Sequence, residues 1–317
     1  MPIGSTTGTP GNDVIIGTNG DDVVDGGGGN DRICGRDGFD QIQGGLGNDR
    51  ISGGDGIDVL VGDVWNQSGS AGGTGDDLVL GGGGGDFIVG DSVGSTTAAG
   101  TGNDRLDGGG GANIIIGDSR AATNATGGGD DVIVKAVLAI GDSYSSASSN
   151  QPESFAGGSG DDRIELSAAG DTVPTAIGDS FAQAQGANSP TPDAQGDGGD
   201  DVIVGTSEAD HIVGDHMTGP QVAGSASGAG ADDISAGGGS DLVFGDSNFN
   251  GHTQKTTLGP DGDNDVLRGG GGPSDTLRAG PGDDTLSGGR GGSDICDGET
   301  GAADVASGSC ESIPGVP

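Results

Sequence analysis

The chain has 317 residues, 76 of them glycine, with 49 Asp or Glu against 11 Lys or Arg and a formal charge of −38. Leu, Ile, Val and Phe together number 59, a share that, at this charge, ordinarily describes a disordered chain. Nucleic acid is excluded as a partner for want of a basic patch, and no apolar run reaches the ~18 residues of a membrane span. Repulsion among the carboxylates opposes compaction unless cations neutralise them.

The start, Met1-Pro2-Ile3-Gly4, lacks the basic and apolar regions of a signal peptide. Export therefore uses another route, or a leader has been removed. Over residues 10–62 aspartates recur every nine positions, at Asp13, Asp22, Asp31, Asp40, Asp49 and Asp58. Two residues after each stands an aliphatic (Ile15, Val24, Ile33, Ile42, Ile51, Leu60), and four after each a glycine. Such a unit predicts a very short strand with one inward apolar residue, joined by a glycine-rich turn. Two units make one coil, so Asp13 stacks on Asp31 and Asp49, and Asp22 on Asp40 and Asp58. Stacked carboxylates repel, and Ca²⁺ suits them because it takes 6–8 oxygens in flexible geometry.

Gly44-Gly45-Leu46-Gly47-Asn48-Asp49-Arg50-Ile51-Ser52 reads GGxGxDxUx at every defined position. It resembles the nonapeptide repeat of RTX proteins. The resemblance implies an all-β, right-handed parallel β-roll solenoid running through residues 1–317, with calcium ions between successive turns. The metal ligands it implies are Asp13, Asp22, Asp31, Asp40, Asp49, Asp58, Asp77, Asp86, Asp104, Asp131, Asp162, Asp171, Asp201, Asp210, Asp232, Asp241, Asp265, Asp275, Asp284 and Asp294.

Over residues 63–258 each coil carries one insertion. Gly-Asp marks at Asp63, Asp91, Asp118, Asp142, Asp179, Asp215 and Asp246 precede segments expected as loops at 63–75, 91–102, 118–129, 142–160, 179–199, 215–231 and 246–263. These define a decorated edge opposite a smooth one, and the seven Gly-Asp aspartates are candidate additional metal ligands. The smooth edge weakens where Asn113 replaces aspartate and no carboxylate is in register near Leu138. Residues 259–311 return to tandem repeats and end in a cap. There Cys296 and Cys310 are expected to form a disulfide over the final coil, the alternative being two free thiols. Cys34, following Ile33 as Cys296 follows Ile295, is an outward free thiol or pairs upstream.

No catalytic set emerges. Gly-Asp-Ser recurs with the loop period, ending at Ser92, Ser119, Ser143, Ser180 and Ser247, whereas a nucleophile occurs once beside a base. His211, His216 and His252 lie near the decorated edge in no metalloprotease motif and are expected to be solvated. Trp65, Phe155, Phe181 and Phe249 sit in the insertions and are expected to pack back on the roll. The expected function is calcium binding by a secreted or cell-surface scaffold that folds on Ca²⁺. The rivals are an adhesin or glycan-recognition module using the loops, an ice binder, and the calcium-binding part of a larger enzyme.

Overall fold

The computed structural model describes residues 4–148, 154–168, 170, 172–185, 192–219, 225–249, 262–299, 301, 303–307 and 310. Among these there is no helix; short strands, all pairing in parallel, build four sheets of 12, 12, 7 and 6 strands. The chain is a parallel β-roll solenoid.

One middle coil shows the path. Leu78–Gly83 lies in sheet I, Phe87–Val89 in sheet II, Ser92–Gly94 in sheet III and Thr97–Gly100 in sheet IV. Arg105–Gly110 then pairs with Leu78–Gly83 to begin the next coil in sheet I. Coils at both ends use sheets I and II alone. Stacked residues are accordingly 18 apart at the start, 27 or 28 apart where the insertions begin, and up to 39 apart further along.

Each strand of sheets I and II places one side chain inward, because side chains alternate along a strand. Ile51, Leu60, Val79, Ile88, Leu106 and Ile115 form such a file, each nearly or fully buried. Most glycine turns add no apolar group to the interior, so the core is mainly one residue thick per strand, with Ala136, Leu166, Ala236 and Ala279 as additions. Cys296 belongs to this file, stacked in register on Leu277. The expected parallel with Cys34 therefore fails. Ile33 and Cys296 point inward, while Cys34 is half-buried and Ile295 is exposed. The cause is register: each inward residue lies two after its aspartate. The Cys296 and Cys310 sulfurs are bonded, with Cα atoms 5.8 Å apart.

The segments expected as loops turn out, where described, to be strand pairs. Sheets III and IV enclose a second, narrower interior of small side chains: Ala98, Ala121 and Ala125 in one group, Ala156, Ala182 and Ala194 in another. Outward residues of sheets II and III meet in a third cluster that includes Val89, Val93, Ile116, Ile140, Phe181 and Met217, with Trp65 against it. The expected packing of Trp65 and Phe181 is observed; Phe155 is half-buried, and the Phe249 side chain lies outside the described part. Ser92 and Ser119 are buried and donate hydroxyl hydrogen bonds to the carbonyls of Ala99 and Thr126, 2.8 Å each, tying sheet III to sheet IV. The molecule thus has two lobes joined at a waist, where the Gly-Asp marks lie.

Candidate metal centres

The aspartates form one continuous ladder, a second ladder interrupted in its middle, and a third, facing row. In the first ladder the backbone N–H of each aspartate donates to Oδ1 of the aspartate one coil on. It runs through Asp13, Asp31, Asp49, Asp77, Asp104, Asp131, Asp162, Asp201, Asp232, Asp265 and Asp284, at 2.6–3.0 Å. Its last acceptor is Asp304, which sequence reasoning missed. The signal was present in the 20-residue step from Asp284, close to the 19-residue step before it, but the glycine framing around it is degenerate.

The second ladder follows the smooth edge through Asp22, Asp40, Asp58, Asp86 and Asn113, then resumes at Asp210, Asp241, Asp275 and Asp294, at 2.8–3.0 Å. Between them, Val137 and Pro174 occupy the ladder positions, as their carbonyls show by accepting from Thr175 and His211. Asp171 lies outside the described residues, and the register gives its expected place to Pro174.

Along the ladders Oδ1 takes the N–H of the preceding rung; Oδ2 decides the chemistry. In the GGxGxD turns the second glycine takes a left-handed conformation, as at Gly45 (φ 102°) and Gly54 (φ 124°), which a side chain rarely adopts. Its N–H does not reach the aspartate. Oδ2 of Asp31, Asp49, Asp58 and Asp86, and of Asp40, where Arg36 (φ 89°) takes the left-handed position, is then buried without a hydrogen-bond partner. A side-chain carbon on Gly53 would collide with both Asp58 Oδ2 and the Gly81 carbonyl oxygen, so these two acceptors face one another. Gly35 cradles Asp40 Oδ2 and the Gly53 carbonyl in the same way. Opposed oxygens deep in a turn call for a positive group between them.

Two natural variants show what that group is for. At Asn113 the amide nitrogen stands where Oδ2 would be, and it donates to the Lys135 carbonyl at 3.0 Å. At Asp13, Asp22 and Asp210 the residue four before is Thr9, Thr18 or Thr206, none of them left-handed. Its N–H bonds Oδ2 at 2.6, 2.6 and 2.7 Å. The expected ligand set therefore divides: those three carboxylates already have an internal donor at Oδ2.

At the waist the geometry is richer. Oδ2 of Asp77 faces the Gly90 carbonyl across Gly62, and Asp104 faces the Gly117 carbonyl across Gly90. Into the same space point the Gly-Asp aspartates, with both oxygens of Asp63, Asp91, Asp142, Asp179, Asp215 and Asp246 buried and unpartnered. Ligand atoms of Asp63, Asp77 and Asp91 lie within 4.8 Å of one another, as do those of Asp91, Asp104 and Asp118, so Asp91 is shared by two successive groups. Three carboxylates and a carbonyl oxygen around one point match the donor set of Ca²⁺.

Burial drives the electrostatics. It pushes Asp40 and Asp58 up to about 6 and Asp49 to about 7, opposed by the N–H each accepts. At the waist burial lifts Asp104 to about 8 and, reinforced by the Asp104 charge, Asp77 to about 9. Asp118, Asp131, Asp162, Asp201 and Asp232 rise well above the ordinary range for the same first reason. Asp13 goes the other way, because the Thr9 N–H holds its carboxyl down. His216 also departs from expectation: it is fully buried at the waist rather than solvated. His211 is half-buried with its ring edge-on to Phe244, and His252 lies outside the described residues.

A family profile for the RTX calcium-binding nonapeptide repeat, four copies long, matches residues 7–42, 35–60, 71–93, 98–119, 195–216, 226–250, 261–295 and 274–302. Together these cover more than half of the chain. The chain belongs to the RTX calcium-binding nonapeptide repeat family. This repeat type is calcium-binding and non-catalytic, and the acidic clusters of the roll are of a kind that holds a metal ion. The longest stretch without an RTX match, 120–194, contains Val137 and Pro174, where the smooth-edge ladder loses its carboxylates. No curated protein is a significant match to the chain. No helix among the described residues is long and apolar enough to cross a membrane.

Proposed function

We propose that the chain is an extracellular scaffold that folds when its aspartates bind Ca²⁺. The observation that carries this reading is the facing of Asp Oδ2 against a backbone carbonyl at turn after turn, with an amide in that place only where Asn113 replaces aspartate. The ion would supply the positive charge that joins the two oxygens and lets successive coils stack. The residues that would hold it at the smooth edge are Asp40, Asp58, Asp86, Asp241, Asp275 and Asp294. In the first ladder they are Asp31, Asp49, Asp265 and Asp284. At the waist the ladder aspartates from Asp77 to Asp232 would share ions with Asp63 through Asp246. Asp13, Asp22 and Asp210, held by threonine, would contribute least.

Extracellular modules bind calcium with dissociation constants on the order of 10⁻⁴–10⁻³ M, and binding to the folded state alone stabilises it by mass action. Such a chain stays unfolded at cytosolic calcium and folds outside the cell, in keeping with the usual secretion of RTX proteins. What favours a scaffold over recognition by protruding loops is that the described insertions are strands stacked into the body. Buried Ser92 and Ser119, bonded to carbonyls, support a reading without catalysis.

A far-ultraviolet circular dichroism titration with CaCl₂ from chelator tests the proposal. A cooperative rise of β signal near millimolar calcium, absent with equal magnesium, is expected. A spectrum that stays coil-like through 10 mM, taken as about ten times the weakest expected dissociation constant, refutes it.

A further inference from the structure

We propose that the sixth Gly-Asp corner, Asp215-His216, holds a borderline divalent metal, Zn²⁺, in a mixed nitrogen and oxygen site distinct from the all-oxygen centres along the roll. The corresponding residue after the Gly-Asp mark is Val64 in the first such coil and serine in the others, at Ser92, Ser119, Ser143, Ser180 and Ser247. Only here is there an imidazole. The His216 ring is fully buried, and neither nitrogen makes a hydrogen bond of good geometry. Its Nδ1 lies 4.0 Å from Oδ2 of Asp179, whose two oxygens are themselves buried and unpartnered.

The ring is built in. A side-chain carbon on Gly228 would overlap its Nε2 edge, and one on Gly196 would press on its Cε1. Both glycines leave the space that a serine would not need. The Gly196 carbonyl lies beside the ring and favours an N–H there. This divides the two nitrogens: Nε2 is turned toward backbone near Gly228, and Nδ1 toward the carboxylate. Metal-bound histidines are oriented this way, with the second nitrogen donating to a carbonyl or carboxylate.

The donor type sets the metal. Carboxylates and carbonyls suit Ca²⁺, whereas an imidazole suits Zn²⁺ and its neighbours in the first transition row. Tetrahedral zinc with bonds of about 2.0–2.2 Å sets its nitrogen and oxygen ligands about 3.3–3.6 Å apart, so Nδ1 and Oδ2, now 4.0 Å apart, close by about half an ångström around the ion. Asp201 and Asp215, close enough to act electrostatically on Asp179, bring further oxygen donors to the same part of the waist. The inference goes beyond the calcium reading: Asp179, Asp201 and Asp215 belong to that reading's waist ligands, and what is added is one nitrogen ligand in one coil, which calcium does not favour and zinc does.

Tag-free protein in saturating CaCl₂ is titrated with ZnCl₂ by calorimetry and with CoCl₂ by visible absorption. One site per chain is expected, with a cobalt spectrum of mixed nitrogen and oxygen ligation. His216→Ser, the residue of the sister coils, should raise the zinc dissociation constant by at least about 100-fold, the upper range for losing even an outer-shell partner. The variant His211→Asn/His252→Asn, which keeps His216 as the sole histidine, should retain the site and show a zinc-induced shift of one imidazole nitrogen by ¹⁵N NMR. Cys34→Ser should also retain it, since a thiol is an alternative zinc ligand. Absence of a zinc site in the parent protein, its loss in either retained-site variant, or its survival in His216→Ser overturns the proposal. Circular dichroism of the same samples separates the two readings. A protein that folds in calcium but takes no zinc fails this one alone, and a zinc site without a calcium response fails the other alone.

Discussion

At the residue scale, Asn113 is an experiment already present in the chain. Its carboxamide keeps the ladder acceptor, taking the Asp86 N–H at 2.8 Å, and puts a donor where its neighbours have Oδ2. The same exchange at Asp58 should therefore trade an ion for a hydrogen bond. Asp58→Asn is expected to bind fewer calcium ions, measured by flow dialysis, and to lose less structure in chelator, by about 0.5–1.5 kcal/mol for the new bond to the Gly81 carbonyl. The nine-residue spacing made nearly every ladder aspartate legible, because a stacked turn tolerates no slip. It did not reveal which oxygens were already engaged. That distinction hangs on Thr9, Thr18 and Thr206, where one residue four positions upstream changes the direction of a single N–H. The burial of His216 is hidden for a related reason: the insertions differ in length, so no spacing in the sequence shows that they stack as strands and enclose a ring.

Elements of this roll owe their existence to their neighbours. Strands such as Ser92–Gly94 and Thr97–Gly100 are too short and too rich in small residues to read as β in isolation, and two- or three-residue strands are marginal without stacking. In the coil they pair on both sides, Val93 with Trp65 and Arg120, Ala98 with Ala71 and Ala125. The insertions vary in length from coil to coil, which hid this pairing in the sequence, while sheets I and II were visible from the aliphatic two residues after each aspartate. The two interiors should respond oppositely to volume. Ile115→Ala empties the main file and is expected to cost about 2–5 kcal/mol. Ala125→Leu overfills the narrow lobe and should cost about 1–3 kcal/mol. Thermal melts at saturating calcium check both, and a parent-like melting temperature in either variant would contradict the packing.

Over the whole molecule, carboxyls that titrate high in the folded chain tie folding to protons as well as to calcium. Their folded values, about 6 at Asp40 and Asp58 and about 8 and 9 at Asp104 and Asp77, exceed the ordinary 3.8. A raised value means the folded state binds protons more tightly than the unfolded one. In chelator that stabilisation is fully present below about pH 4 and is lost as pH rises through 6 and then through 8–9. Acidifying chelated protein from pH 9 toward 4 should thus recover β signal by circular dichroism, with protons standing in for calcium. The calcium midpoint should move the other way, rising as pH falls, because protons and calcium compete for the same oxygens.

The waist also bears on time. Smooth-edge aspartates line the outer turns of the first lobe, whereas those between Asp77 and Asp232 are enclosed by the second lobe, and their higher titration reflects that enclosure. An ion held at the waist leaves only when neighbouring coils part, so its escape follows the breathing of the stack rather than diffusion from a surface. Stopped-flow mixing of the calcium-loaded protein with a fluorescent chelator should resolve two phases, a fast one from the edge and a slow one from the waist. Ala125→Leu, by loosening the second lobe, should quicken only the slow phase. The inserted strands would then act as a clock, setting how long a coil remembers calcium after the surrounding concentration has fallen.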